Sequence, residues 1–78
     1  MKSSKSQEKH YQDIILSVGN RIVEIRKKKK FTQRDLAYSI GMEIPNLRQI
    51  EKGKRNITLK TLMLIAEGLE VDFRKLLD

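Results

Sequence analysis

An all-α fold is predicted by three observations. Apolar residues recur at intervals of three and four, cap-type residues and glycines punctuate the segments between them, and no stretch carries the alternation of a strand. Ile15, Val18, Ile22 and Ile25 mark one buried face of a first helix, expected over residues 12–29. Gly19 lies inside that pattern and weakens the helix by up to ~1 kcal/mol relative to Ala, which suggests that another backbone packs close there. Thr32 is suited to an N-cap, and Asp35 three residues later approximates a capping box. Leu36, Ala37 and Ile40 form the inner face of the short helix that follows. Gly41 stands where a helix end needs a left-handed residue.

A third helix is expected over residues 45–52, with Pro45 in the first turn, where its missing N–H costs nothing, and Gly53 ending it. Thr58 caps a fourth helix whose Leu62, Ile65, Ala66 and Leu69 share a face. Asp72 caps a final turn or two, giving five helices in all. Residues 1–11 carry no apolar periodicity and read as a flexible basic arm, leaving 12–78 as the domain.

Seventy-eight residues, 38% of them hydrophobic, with neither Cys nor Trp, make one small domain without covalent staples. The missing cysteines exclude a disulfide scaffold, a Cys-based zinc finger and a thiol nucleophile. The only histidine, His10, lies in the expected arm, and there is no Gly-rich phosphate loop or metal-ligand cluster. No catalytic residue, metal, cofactor or small-molecule ligand is therefore expected. Neither a secretory signal nor an apolar run long enough for a membrane span is present, which predicts a soluble, cytoplasmic protein.

The formal net charge of +7 is unevenly placed. Residues 1–34 hold ten Lys/Arg against three acids, whereas residues 35–78 hold seven of each. The run Arg26-Lys27-Lys28-Lys29-Lys30 carries much of the excess. A basic surface favours an anionic partner, nucleic acid before membrane, although cations also suit the negative end of a helix.

The segment 32–53 decides the functional reading. Two short helices hinged at Gly41 have the layout of a helix-turn-helix reader of double-stranded DNA, with the helix-turn-helix proper at about 33–52. With Leu47 and Ile50 placed inward at 100° per residue, Pro45, Gln49 and Lys52 point away, flanked by Asn46 and Arg48. Asn and Gln amides suit adenine edges, and Arg suits guanine N7 and O6. Lys52, Lys54 and Arg55 cluster at the far end as phosphate contacts. Gln33 and Arg34, at the positive end of the second helix, join them.

These residues resemble the Cro/phage-repressor (XRE-type) family of helix-turn-helix regulators. The likeness runs over about residues 14–77, through the segment 18–26, Phe31-Thr32-Gln33, Leu36-Ala37, Ile40-Gly41, Leu47, Ile50-Glu51-Lys52-Gly53-Lys54-Arg55, Leu59, Leu62, Ile65-Ala66 and Leu69. It implies a compact five-helix, lambda-repressor-like DNA-binding domain acting as a transcriptional regulator. The positions matching Gln33 and Glu43 approach phosphates in that family, and those matching Ile44, Pro45, Asn46 and Gln49 face base edges. It also pairs Arg26 with Glu51 as a structural ion pair bracing the third helix.

Three departures stand out. Glu43 replaces a family Ser or Thr, Ile44 and Pro45 replace polar readers, and Glu70 replaces Gly or Asn. Small stand-alone members include the controller proteins of restriction-modification systems, and the chain is equally compatible with a phage repressor. One short recognition helix reads few base pairs, so a homodimer on a near-palindromic operator is expected. Its seam is expected at Leu69, Val71, Phe73, Leu76 and Leu77. The competing reading is a protein-interaction module, an antitoxin or adaptor, using Met42, Ile44 and Leu64. Salt-sensitive binding to duplex DNA separates the two.

Overall fold

Among the described residues four α-helices and a closing 3-10 turn follow one another: α1 (Ser4–Lys28), α2 (Gln33–Ser39), α3 (Ile44–Glu51), α4 (Leu59–Leu69) and the turn Phe73–Leu76. The computed structural model describes residues 4–77, with side chains from His10 onward. The architecture is all-helical, but the expected fifth α-helix is a single 3-10 turn. Only four residues follow the Asp72 cap before the turn closes, too short a run to repay α-helix nucleation.

The first helix also begins earlier than predicted. Its backbone is helical from Ser4, so residues 4–11 continue α1 where an arm was expected. Lys5, Gln7, Glu8 and Lys9 are straight-chain residues that lose little freedom in a helix. Apolar periodicity is absent from this segment and could not mark it as helical. The first three residues of the expected arm, and Asp78, lie outside the described residues.

All four helices close in the same way. The N–H just after a left-handed residue reaches back five residues, as in Phe31 N–H to Arg26 O (2.9 Å), Met42 to Ala37 (2.9 Å), Lys54 to Gln49 (3.0 Å) and Val71 to Ala66 (3.0 Å). This Schellman closure needs a left-handed residue. Gly41 and Gly53 supply it with φ of 68° and 70°, while Lys30 (64°) and Glu70 (62°) adopt it as non-glycines. Glu70, which stands where the family has Gly or Asn, therefore carries left-handed strain, and Lys30 bears the same.

The core gathers one face from every element: Val18 and Ile22 from α1, Leu36 and Ala37 from α2, Leu47 and Ile50 from α3, and the α4 stripe Leu62, Ile65, Ala66 and Leu69, closed by Leu76. Ile25 and Ile40 pack against this cluster half-buried. Two residues assigned to a dimer seam are corrected here. Leu69 and Leu76 are 0% and 1% exposed within one chain, so they have no surface left to give a second subunit. Leu69 completes the α4 stripe, and the 3-10 turn folds Leu76 back onto it.

Gly19 has the close neighbour its position suggested. A Cβ there would stand 2.6 Å from Ile50 O and 2.7 Å from Glu51 O, so α1 and the end of α3 touch backbone to backbone. That contact seats α3 against α1 and fixes where its other face points.

Candidate nucleic-acid interface

The interface starts from a well-made α2 N-terminus. Thr32 Oγ1 accepts from Asp35 N–H (3.0 Å), and Asp35 Oδ2 accepts from Thr32 N–H (2.9 Å), completing the capping box. The hydrogen bond from the Thr32 backbone holds the Asp35 carboxyl below its ordinary pKa, with a further contribution from the Thr32 side chain. After the Gly41 hinge, Glu43 occupies the N-cap of α3 without making a side-chain cap bond, and Pro45 sits in the first turn. The exposed Glu43 carboxylate suits the positive helix end but is a poor neighbour for a phosphate.

Behind α3 lies a buried polar brace. Arg26 and Glu51 are 7% and 6% exposed. The Arg26 Nε donates to Glu51 Oε2 at 2.7 Å, and its Nη2 donates to Oε1 at 3.2 Å. A third donor, Nη1, reaches Phe31 O at 2.8 Å. The pair implied by the resemblance is thus formed, two-pronged and out of water. Gln33 joins it, its Nε2 donating to Glu51 Oε1 at 2.8 Å. On the outer side, Gln33 Oε1 accepts from Arg48 Nε at 3.4 Å.

In front, the helical geometry holds as expected. Leu47 and Ile50 are 0% and 2% exposed, whereas Pro45, Arg48 and Gln49 are exposed. Ile44 and Asn46 are half-buried, and Asn46 Oδ1 is sealed from solvent without a hydrogen-bond partner. One end of that amide is therefore hidden, which removes the paired donor-acceptor contact expected of Asn46 unless its side chain turns. Lys52, Lys54 and Arg55 are exposed around the α3 end, where the Gly53 closure turns the chain.

Beside α3 an open groove of about 580 Å³ runs between the α1 end and the α2 start, lined by Lys27, Lys30, Arg34 and Arg48 among others. Sequence reasoning placed Arg34 here but left the basic run 26–30 unassigned. The left-handed turn at Lys30 folds the end of that run back toward α2. The signal for it was positional: a helix must end before the Thr32 cap, and only Lys29, Lys30 and Phe31 were available.

On another face, Leu59, Met63, Leu64, Val71 and Phe73 line an apolar groove of about 720 Å³. Val71 and Phe73 belong to the expected dimer seam, and Leu77 is exposed nearby in sequence. Leu59 and Met63 were not foreseen on an outer face, because they flank the α4 stripe rather than interrupt it.

No helix among the described residues is long and apolar enough to cross a membrane. The helix-turn-helix family model matches residues 22–76. The chain is 34% identical over 65 residues to the control protein C.MunI of a Mycoplasma species, covering 82% of this chain and 88% of that one. It is 38% identical over 56 residues to the immunity repressor protein of Bacillus phage phi105, covering 72% of this chain but 39% of the repressor.

Among solved structures, the restriction-modification controller protein C.AhdI from Aeromonas hydrophila superposes with a TM-score of 0.77 at 29% identity, covering 80% of this chain and 94% of that one. The controller C.Esp1396I, solved as a tetramer with its natural 35 base-pair operator, superposes at 0.74 with 36% identity, covering 83% and 96%. With a buried brace behind α3, exposed polar side chains in front and this extent of likeness, the chain belongs to the helix-turn-helix family.

Proposed function

We propose that this protein is a sequence-specific regulator of transcription, cytoplasmic and of the restriction-modification controller type, that reads the DNA major groove with α3 as a homodimer. The observation that carries the reading is the orientation of α3. Its apolar side and Glu51 are locked to the scaffold, while Arg48 and Gln49 are exposed with Lys52, Lys54 and Arg55 beside them. Likeness to a controller solved on its operator supports it.

Arg48 and Gln49 supply hydrogen bonds to base edges, Ile44 and Pro45 apolar contact with a thymine methyl, and Asn46 a single-ended contact. Arg34, Lys52, Lys54 and Arg55 hold phosphates. In the dimer, the two copies of α3 lie about one DNA turn apart, roughly 34 Å. The seam is the groove of Leu59, Met63, Leu64, Val71 and Phe73, which leaves an apolar surface exposed in one chain.

The test is a titration of duplex DNA across salt. Neutralising about six phosphates predicts a loss of about 10³-fold in affinity between 50 and 200 mM salt. Absence of duplex binding at low salt would leave the adaptor reading standing. Sedimentation at micromolar concentration should show a dimer, and Met63→Lys should yield a monomer.

A further inference from the structure

We infer that Gln33 is a positioning residue for Arg48 rather than a phosphate contact, a conclusion that rests on the DNA-reading role of α3. A carboxylate can only accept hydrogen bonds, so Glu51 dictates which way the Gln33 amide turns. Its Nε2 faces inward to Glu51 Oε1 at 2.8 Å, and its carbonyl Oε1 must therefore face outward. A phosphate oxygen approaching from the groove meets an acceptor there, and two acceptors repel. Arg48 supplies the matching donor, its Nε standing 3.4 Å from Gln33 Oε1.

The latch has a specific chemical consequence. It engages only the Nε of Arg48, and among the described residues no carboxylate pairs with this guanidinium. The two terminal nitrogens stay free, and these are the donors that grip guanine N7 and O6 together. A long side chain that otherwise samples many rotamers is held at the edge of the groove before DNA arrives, which lowers the ordering cost of binding. The buried pair Arg26–Glu51 thus reaches the DNA surface through one amide, in the order Arg26, Glu51, Gln33, Arg48.

The experiment measures affinities of the wild type, Gln33→Ala, Arg48→Ala and the double variant for a duplex selected by the wild type and for a random duplex. Gln33→Ala should weaken the selected duplex roughly 3- to 10-fold, a part of the discrimination one paired arginine contact provides. The random duplex should be bound as before, with an unchanged salt slope. In the Arg48→Ala background the Gln33→Ala effect should vanish. Equal weakening on both duplexes with a flatter salt slope would restore the phosphate role, and additive effects in the double variant would refute the latch.

A second measurement needs no DNA. The NMR order parameter of the Arg48 Nε–H should fall in Gln33→Ala while that of Arg26 is kept. An Arg48 signal already as mobile in the wild type overturns the inference. Failure of the wild type to bind any duplex would instead refute the function, and the NMR result would still decide the latch.

Discussion

The back and the front of α3 solve opposite problems with the same kinds of residue. Behind the helix, Arg26 and Glu51 pair out of water and the half-buried Gln33 joins them, with contacts of 2.7 to 3.2 Å. In front, Arg48 and Gln49 are exposed. A buried charge is costly unless fully paired, whereas an exposed one costs little and stays available. The difference teaches that polar character alone does not mark the proposed reading face, because burial divides the two sides. Arg26 and Arg48 are the same side chain in opposite surroundings, one buried and one exposed.

Breaking the back should produce the largest effect. Glu51→Ala leaves the Arg26 guanidinium buried without its carboxylate and should destabilise the fold by about 3–5 kcal/mol, read as a lowered denaturation midpoint. A loss below 1 kcal/mol would show that the pair behaves as a surface one. Substitution in front should spare stability and tax recognition instead. Lys54→Ala, taken as removing one phosphate contact, should weaken every duplex alike and reduce the salt slope by about 1, with the melting temperature nearly unchanged.

The helix ends sharpen the same contrast. The closures on either side of α3 use Gly41 and Gly53, free of strain, while those of α1 and α4 use Lys30 and Glu70. Glu70→Gly relieves a left-handed non-glycine worth roughly 1–2 kcal/mol, offset by the greater freedom of glycine in the unfolded chain. A net gain of up to about 1 kcal/mol is expected, measured by chemical denaturation. Loss of stability would place the backbone outside that region.

The smallest effect is in pH. Asp35 is held below its ordinary 3.8 by the hydrogen bonds from Thr32. The Asp72 carboxyl is held well below it by the side-chain and backbone hydrogen bonds of Arg74. Both folded pKa values are depressed, so their stabilisation is complete above the unfolded value and is lost as pH falls through the folded ones. Asp35→Ala, which removes the titrating carboxyl, should flatten the acid limb of a stability-against-pH curve below about pH 4.

Local chemistry made much of this legible in the chain. The Thr32–Asp35 cap, the Gly41 hinge, the outward set on α3 and the close approach at Gly19 each follow from a residue's own preferences. What escaped depends on tertiary position. An amphipathic stripe identifies Leu69 as apolar but cannot say whether its cover is this chain or another, and the same holds for Leu76. The helical start at Ser4 escaped because residues 4–11 carry no apolar period to reveal it. Gln33 showed its position at a helix start but not the carboxylate, eighteen residues away, that turns its amide.

The most direct test of the account is selection from random duplexes by the wild type and by Gln49→Ala in parallel. The account predicts an enriched near-palindrome for the wild type. For Gln49→Ala it predicts relaxed preference at one symmetric pair of positions, with a loss of about 1–3 kcal/mol on the original operator. Identical enriched sequences from the two proteins, bound with equal affinity, would contradict it.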